Sequence, residues 1–278
     1  SAEREARPDA PAPAGRAGAA AAPLPLFTPG GVSAKLRRMS APALHISRLC
    51  KSYGKSVALD DVSLDITDGE FFGLVGANGA GKTTLVKCAL DFCDIQSGDI
   101  RIFGTPHRDT AARSRIAFLP ERFTPPHYLN GRDFLRYLAE LHRRPYDEKH
   151  ARSMLEALEL DAAALDKPAR AYSKGMTQKL GLAACLLAGK DLLILDEPTS
   201  GLDPRARALL KQELRRQHES GKTVLMTTHA LHDVGEMCER MAVVDHGRLL
   251  FAGTPADFIR LHGAADLEQA YLACTAGA

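Results

Sequence analysis

Phe71-Phe72-Gly73-Leu74-Val75-Gly76-Ala77-Asn78-Gly79-Ala80-Gly81-Lys82-Thr83-Thr84 is the stretch that decides the fold. Its first part is a short, continuously apolar run of the kind that forms a buried strand. From Gly76 it fills the pattern GxxxxGK(S/T), and the residues from Thr83 to Phe92 continue with helical periodicity. Glycines at this spacing let the backbone turn tightly, so that successive N–H groups point inward at a phosphate. Lys82 brings a point charge to the outer phosphate oxygens, and the Thr83 hydroxyl is a hard oxygen ligand suited to Mg²⁺. The positive end of the following helix adds to the attraction. A strand, a glycine-rich turn and a helix in this order predict a phosphate-binding P-loop at Gly76–Thr84.

Moving outward, Leu44–Gly54 and Val57–Ile66 alternate apolar and polar residues around a Gly54-Lys55 turn, which reads as a β-hairpin. Leu192-Leu193-Ile194-Leu195 and Thr223–Thr228 are further strands with little polar interruption, and Arg205–Glu219 has the helical period of a crossover between them. The pattern predicts an α/β, doubly wound core. Residues 122–189 are helix-rich and read as an insertion between the core parts 44–121 and 190–253. Residues 254–278 read as a short helical extension.

Two further features carry chemistry. Asp196 and Glu197 follow the apolar run at 192–195, and the carboxyl ends of such strands are where ligands bind. Asp196 is placed to hold Mg²⁺ through water, and Glu197 to polarise an attacking water as general base. In isolation, an acid pair of this kind is also a common solvated strand end. His229 follows the strand at 223–228; a lone histidine is usually structural, and after a P-loop it is placed to hydrogen-bond the γ-phosphate and orient the water.

Composition narrows the function classes. The chain has 278 residues, 45% hydrophobic and 25% charged, with 36 basic against 34 acidic side chains. A near-neutral balance argues against a dedicated nucleic-acid binder. No run approaches the roughly 20 apolar residues that span a bilayer, so a membrane role is expected to come through a partner chain. The six cysteines form no CxxC pair and no zinc spacing, and they read as reduced thiols. Residues 1–43 are rich in Ala, Pro, Gly and Arg, and read as a disordered leader. Glu3, Glu5, Asp9 and the missing long apolar run argue against a transit or export signal.

Taken together, the P-loop, the 192–197 segment and His229 resemble the ATP-binding subunit of ABC transporters, over nearly all of Leu44–Gly253. That resemblance implies an ATPase with ATP and Mg²⁺, built as a P-loop NTPase (RecA-like) core with an antiparallel β subdomain and a helical insertion. It implies that Tyr53 stacks on adenine, although the residue alone also fits an ordinary strand tyrosine. Tyr172-Ser173-Lys174-Gly175-Met176 stands where the family has its LSGGQ signature, so Ser173 and Gly175 are implied to contact the γ-phosphate held by a second subunit. Ser200-Gly201-Leu202-Asp203 matches the D-loop at the dimer interface. Glu121 takes the position of the Q-loop glutamine as nucleotide and metal ligand; a carboxylate can ligate Mg²⁺ but donates no hydrogen bond unless protonated. The YSKGM and FLPE segments resemble the branch paired with ABC-2-type exporter membrane subunits.

The resemblance implies a homodimer, or a pair of ATP-binding subunits, at the cytoplasmic face of a membrane, coupled to a separate ABC-2-type permease and free of nucleic acid. The alternative is a soluble ABC ATPase acting on ribosome or DNA. Relatives of that kind carry two cassettes, coiled-coil arms or long added domains, which this sequence lacks. A P-loop kinase or GTPase leaves YSKGM, SGLD and His229 without a role.

Overall fold

The computed structural model describes residues 41–276. The leader reading therefore lies, apart from residues 41–43, outside the described residues.

An antiparallel hairpin comes first, β1 (Leu44–Tyr53) and β2 (Ser56–Ile66), turning at Gly54-Lys55. Next are β3 (Phe71–Val75), α1 (Lys82–Ala89), β4 (Ser97–Ile102), β5 (Thr105–Pro106), α2 (Thr110–Arg113) and β6 (Ile116–Leu119). The helical block holds α3 (Gly131–Leu141), α4 (Glu148–Ala157) and α5 (Lys174–Leu187). The chain then forms β7 (Leu192–Asp196), α6 (Pro204–Glu219), β8 (Thr223–Thr228) and α7 (Leu231–Met237). It ends with β9 (Arg240–Asp245), β10 (Arg248–Gly253), α8 (Pro255–Leu261) and α9 (Leu267–Ala276).

Two sheets organise these elements. One is antiparallel in the order β2-β1-β4-β5, and the other runs β10-β9-β3-β8-β7-β6. Within the second, β9, β3, β8, β7 and β6 are parallel, and β10 pairs antiparallel at the edge. All five residues of β3, all five of β7 and all six of β8 are buried. That is why these strands read as continuous apolar runs: both faces of the sheet are covered. Alternation divides the side chains between two cores. Phe72, Leu74, Ile194, Leu225 and Val244 pack toward α1 and the antiparallel sheet. Val75, Leu193, Leu195, Met226 and Val243 share the other core with α4, α5 and α6. Each fully buried Leu or Phe contributes about 2 kcal/mol through its removal from water. The molecule is thus a P-loop NTPase core with an antiparallel β subdomain and a helical insertion.

The topology sets the site. Pairing places β3 beside β8, and β8 beside β7, so the P-loop, the 196–197 acids and His229 all leave the same edge of one parallel sheet.

Candidate active site

The P-loop is braced from the side by the β9–β10 turn. Gly247 N–H donates to the Ala80 carbonyl at 2.9 Å, and the Gly247 carbonyl accepts from Asp60 N–H at 2.8 Å. Gly81 has φ of +114°, and a Cβ there would stand 2.7 Å from the Ala58 carbonyl oxygen, so no other residue fits. Ala77, Asn78 and Gly79 are exposed along the loop, Lys82 is buried, and Thr83 and Thr84 are half-buried. Helix α1 starts without a side-chain cap. Its first N–H groups are therefore left to an external acceptor, which is the chemistry of an anion site.

Lys82 anchors the cluster. Its Nζ donates to the carbonyls of Gly76 at 2.6 Å and Ala77 at 3.2 Å, and stands 3.6 Å from Glu197 Oε1. The Thr83 hydroxyl donates to Asp196 Oδ2 at 3.1 Å. Asp196 is 2% exposed and Glu197 7%, so both carboxylates are desolvated and need partners. Glu197 Oε2 lies 2.9 Å from His229 Nδ1. Its Oε1 is buried with no hydrogen bond, which leaves an acceptor beside the Lys82 charge.

Thr227 ties the acids together, and sequence reasoning missed it. Its hydroxyl donates to Asp196 Oδ1 at 2.5 Å and accepts from Glu197 N–H at 3.0 Å. The available signal was a polar Thr227-Thr228 pair closing a strand whose middle, Val224–Met226, is apolar. Glu197 itself adopts φ of +49°. In an extended strand its side chain would point away from that of Asp196; the left-handed residue breaks the alternation. Helix α7, which follows His229, is pinned to α6 by Lys211, whose Nζ lies 2.5 Å from Asp233 and 2.6 Å from Glu236.

Tyr53 is half exposed, and its hydroxyl lies against the Thr84 side chain and 3.7 Å from Cys93 Sγ. The sulfur contact, with partial burial, pushes the Tyr53 hydroxyl up from its ordinary range. Its ring is thus an open platform next to the end of the P-loop.

Ser173, Gly175 and Asp203 form a second group. Ser173 caps α5 by accepting from Met176 N–H at 3.2 Å, and Asp203 caps α6 by accepting from Ala206 N–H at 2.9 Å. That backbone hydrogen bond holds the Asp203 carboxyl below the usual range. All three residues line one shallow depression of about 170 Å³. A Cβ at Gly175 would meet nothing within 4 Å. Among the described residues, no hydrogen bond or ion pair joins this group to the P-loop cluster.

Glu121 belongs to neither group. Pro120 ends β6, and Glu121 lines an open cleft of about 690 Å³ with Phe123, Tyr172, Lys174, Gln178 and Ser200. It makes no hydrogen bond or ion pair among the described residues, so the structure does not bring it onto Thr83 or Asp196. In the same cleft the Gln178 side-chain nitrogen is buried without a partner.

The family model described as ABC transporter matches residues 59–200. The chain belongs to the ABC transporter family. This ABC ATPase is 38% identical over 241 residues to the Nod factor export ATP-binding protein I of Sinorhizobium fredii, covering 84% of this chain and 69% of that one. It is 36% identical over 217 residues to the uncharacterized ABC transporter ATP-binding protein YdbJ of Bacillus subtilis, covering 76% and 69%. A solved ATP-binding subunit of an ABC transporter aligns with TM-score 0.79 and 29% identity, over 84% of this chain and 99% of that one. A dimeric ATP-binding cassette in a post-hydrolysis state with ADP and Pi shares the fold at TM-score 0.70 and 24% identity, over 76% and 98%. The chain is therefore an ATP-binding, ATP-hydrolysing member of its family.

Proposed function

We propose that this ATPase drives export through a separate ABC-2-type membrane subunit, working as a pair of ATP-binding chains at the cytoplasmic membrane face. The carrying observation is the separation of Ser173, Gly175 and Asp203 from the P-loop cluster. Glycine in a helix weakens it, and among the described residues nothing approaches Gly175 closely enough to need that glycine. An approaching group from outside the chain accounts for it. In a head-to-tail pair, the P-loop of one chain holds ATP, and the Ser173 hydroxyl and Gly175 N–H of the other reach its γ-phosphate. Asp203 sits at the same junction.

Within one chain the roles divide by chemistry. Lys82 and the loop N–H groups Gly76–Thr84 hold the phosphates, and Tyr53 stacks on the base. Thr83 and Asp196, two hard oxygen donors 3.1 Å apart, fit Mg²⁺; the ion supplies screening of phosphate charge. Glu197 takes the proton of the attacking water, and His229, 2.9 Å from that carboxylate, hydrogen-bonds the γ-phosphate and orients the water.

Export is supported by the name of the Sinorhizobium relative. No helix among the described residues is long and apolar enough to cross a membrane, which fits a motor attached to a separate permease. The cleft at Glu121 and Gln178, on the border of the helical block 122–189, is our choice for the surface that receives the permease. The test is Glu197→Gln with saturating ATP in size-exclusion chromatography, alongside co-purification of the wild type with a membrane protein. A stable ATP-dependent dimer is expected. A variant that stays monomeric, with wild-type turnover independent of protein concentration, overturns the shared site. Pelleting with ribosomes or DNA instead of a membrane protein would select the soluble alternative.

A further inference from the structure

Beneath the Tyr53 platform lie two thiols that the ATPase reading does not use. Cys88 sits in the last turn of α1 and is fully buried; Cys93 follows five residues later and is half-buried. Their sulfurs are 3.5 Å apart. The chain reverses between them in a tight closure: Phe92 N–H donates to the Lys87 carbonyl and Asp91 N–H to the Cys88 carbonyl. Asp91 takes the left-handed conformation at φ of +59°, and its carboxylate is held by Arg113 at 2.9 Å. This turn brings Cys93 back over Cys88. Cys93 Sγ then meets the Tyr53 hydroxyl at 3.7 Å, and Lys51 Nζ lies 4.9 Å from the centre of the Tyr53 ring.

We propose that Cys88 and Cys93 are a modification site that closes to a reversible disulfide on reaction with a low-molecular-weight disulfide, and that closure loosens nucleotide binding by drawing Cys93 away from Tyr53. The proposal rests on Tyr53 as the base platform. Disulfide geometry requires the sulfurs to approach by about 1.5 Å, and Cys93, in the loop, is the one able to move. Burial pushes the Cys88 thiol up to about 12, so it is protected from reagent and acts second. The Cys93 thiol loses its proton to solvent and attacks the reagent disulfide, forming a mixed disulfide and releasing one thiolate. Cys88 then gives up its proton and attacks the Cys93 sulfur, releasing the second thiolate. Two protein thiols are oxidised by two electrons, and one reagent disulfide is reduced to two thiols.

The experiment treats the full chain with oxidised glutathione and then measures three things. Peptide mass spectrometry is expected to find Cys88 linked to Cys93. The Kd for a fluorescent ATP analogue is expected to rise about tenfold and to return on reduction, the scale of a weakened base stack. Cys93→Ala is expected to lose the oxidant response, and Cys88→Ala to retain a glutathione adduct on Cys93. Six titratable thiols after oxidation would overturn the modification site. A formed disulfide with unchanged Kd would overturn its link to binding, as would a full response in Cys93→Ala. Failure of the reduced protein to bind the analogue at all would instead strike the platform reading of Tyr53.

Discussion

At the P-loop, Lys82, Asp196 and Glu197 are no more than 7% exposed and are bound together through Thr83, Thr227 and His229. At the start of α5, Ser173 and Gly175 lie at the surface and share only a shallow depression with Asp203. The first region is a connected set of charges: Lys82 Nζ is tied to the Gly76 and Ala77 carbonyls and stands 3.6 Å from Glu197. The second has local capping bonds and nothing more. The difference is what the proposed pairing requires: one region linked up within its own chain, and another that would serve a second chain.

The strongest way to test this contrast is Glu197→Gln. Turnover is expected to fall by about 10²–10⁴, the usual worth of a general base, while the Kd for ATP stays near wild type. Preserved turnover would assign the base elsewhere. Gly175→Asp places a negative charge where the partner's γ-phosphate would come, so turnover measured with excess ATP should fall about a hundredfold. Its ATP affinity as a dilute single chain should stay within about twofold, because the P-loop cluster is untouched. Equal losses of binding and turnover would erase the distinction between the regions.

Thr227→Val removes one hydroxyl from two hydrogen bonds in the first region. About tenfold lower kcat is expected, with a lower Tm from the lost hydroxyl bond to Asp196, while Glu197 N–H keeps its bond to the Thr227 carbonyl at 3.1 Å. Gly175→Ala should move the other way in stability. With open space at the Cβ, it should stabilise α5 by up to about 1 kcal/mol and raise Tm by about 2–4 °C, while turnover drops. A lowered Tm would mean that the glycine serves this chain's own packing.

The smallest effect belongs to a clamp remote from both regions. Arg132 holds the Glu148 carboxyl down to about 2, against an ordinary value of 4.5, with help from Tyr146 and Arg152. A depressed carboxyl adds stability that is present above its unfolded value and is lost as pH falls through its folded value. Glu148→Gln should therefore lower Tm slightly at neutral pH and flatten the fall of Tm between about pH 4.5 and 2. Because the pair is partly solvated, the effect should stay below about 1 kcal/mol. An unchanged acid profile would show that the clamp adds nothing.

Much of this arrangement was legible locally. The run into Gly76–Thr84 carries strand, turn and helix within fourteen residues, and Asp196-Glu197 closes an apolar run by itself. What one segment cannot carry is the pairing between segments. Thr227 matters because β8 lies beside β7, and that neighbourhood is set by the sheet order. Glu121 has the right position in the chain, but the turn after β6 leads its side chain into the cleft. Cys88 and Cys93 looked like ordinary core thiols, because their closeness depends on the left-handed turn at Asp91 and on its tie to Arg113.

The left-handed backbone at Glu197 has a consequence for which sequences this fold can accept. Such a conformation costs a non-glycine residue about 1–2 kcal/mol, and a side chain branched at Cβ considerably more. With Glu197 as the proposed base, drift at this position would be filtered twice, once by the chemistry of water activation and once by the shape of the main chain. Asparagine or aspartate would suit the turn better but stop one methylene short of the spot Glu197 reaches. A library randomised here and selected only for folding should fill with glycine, asparagine and aspartate, and the glutamate would reappear only when hydrolysis is selected as well.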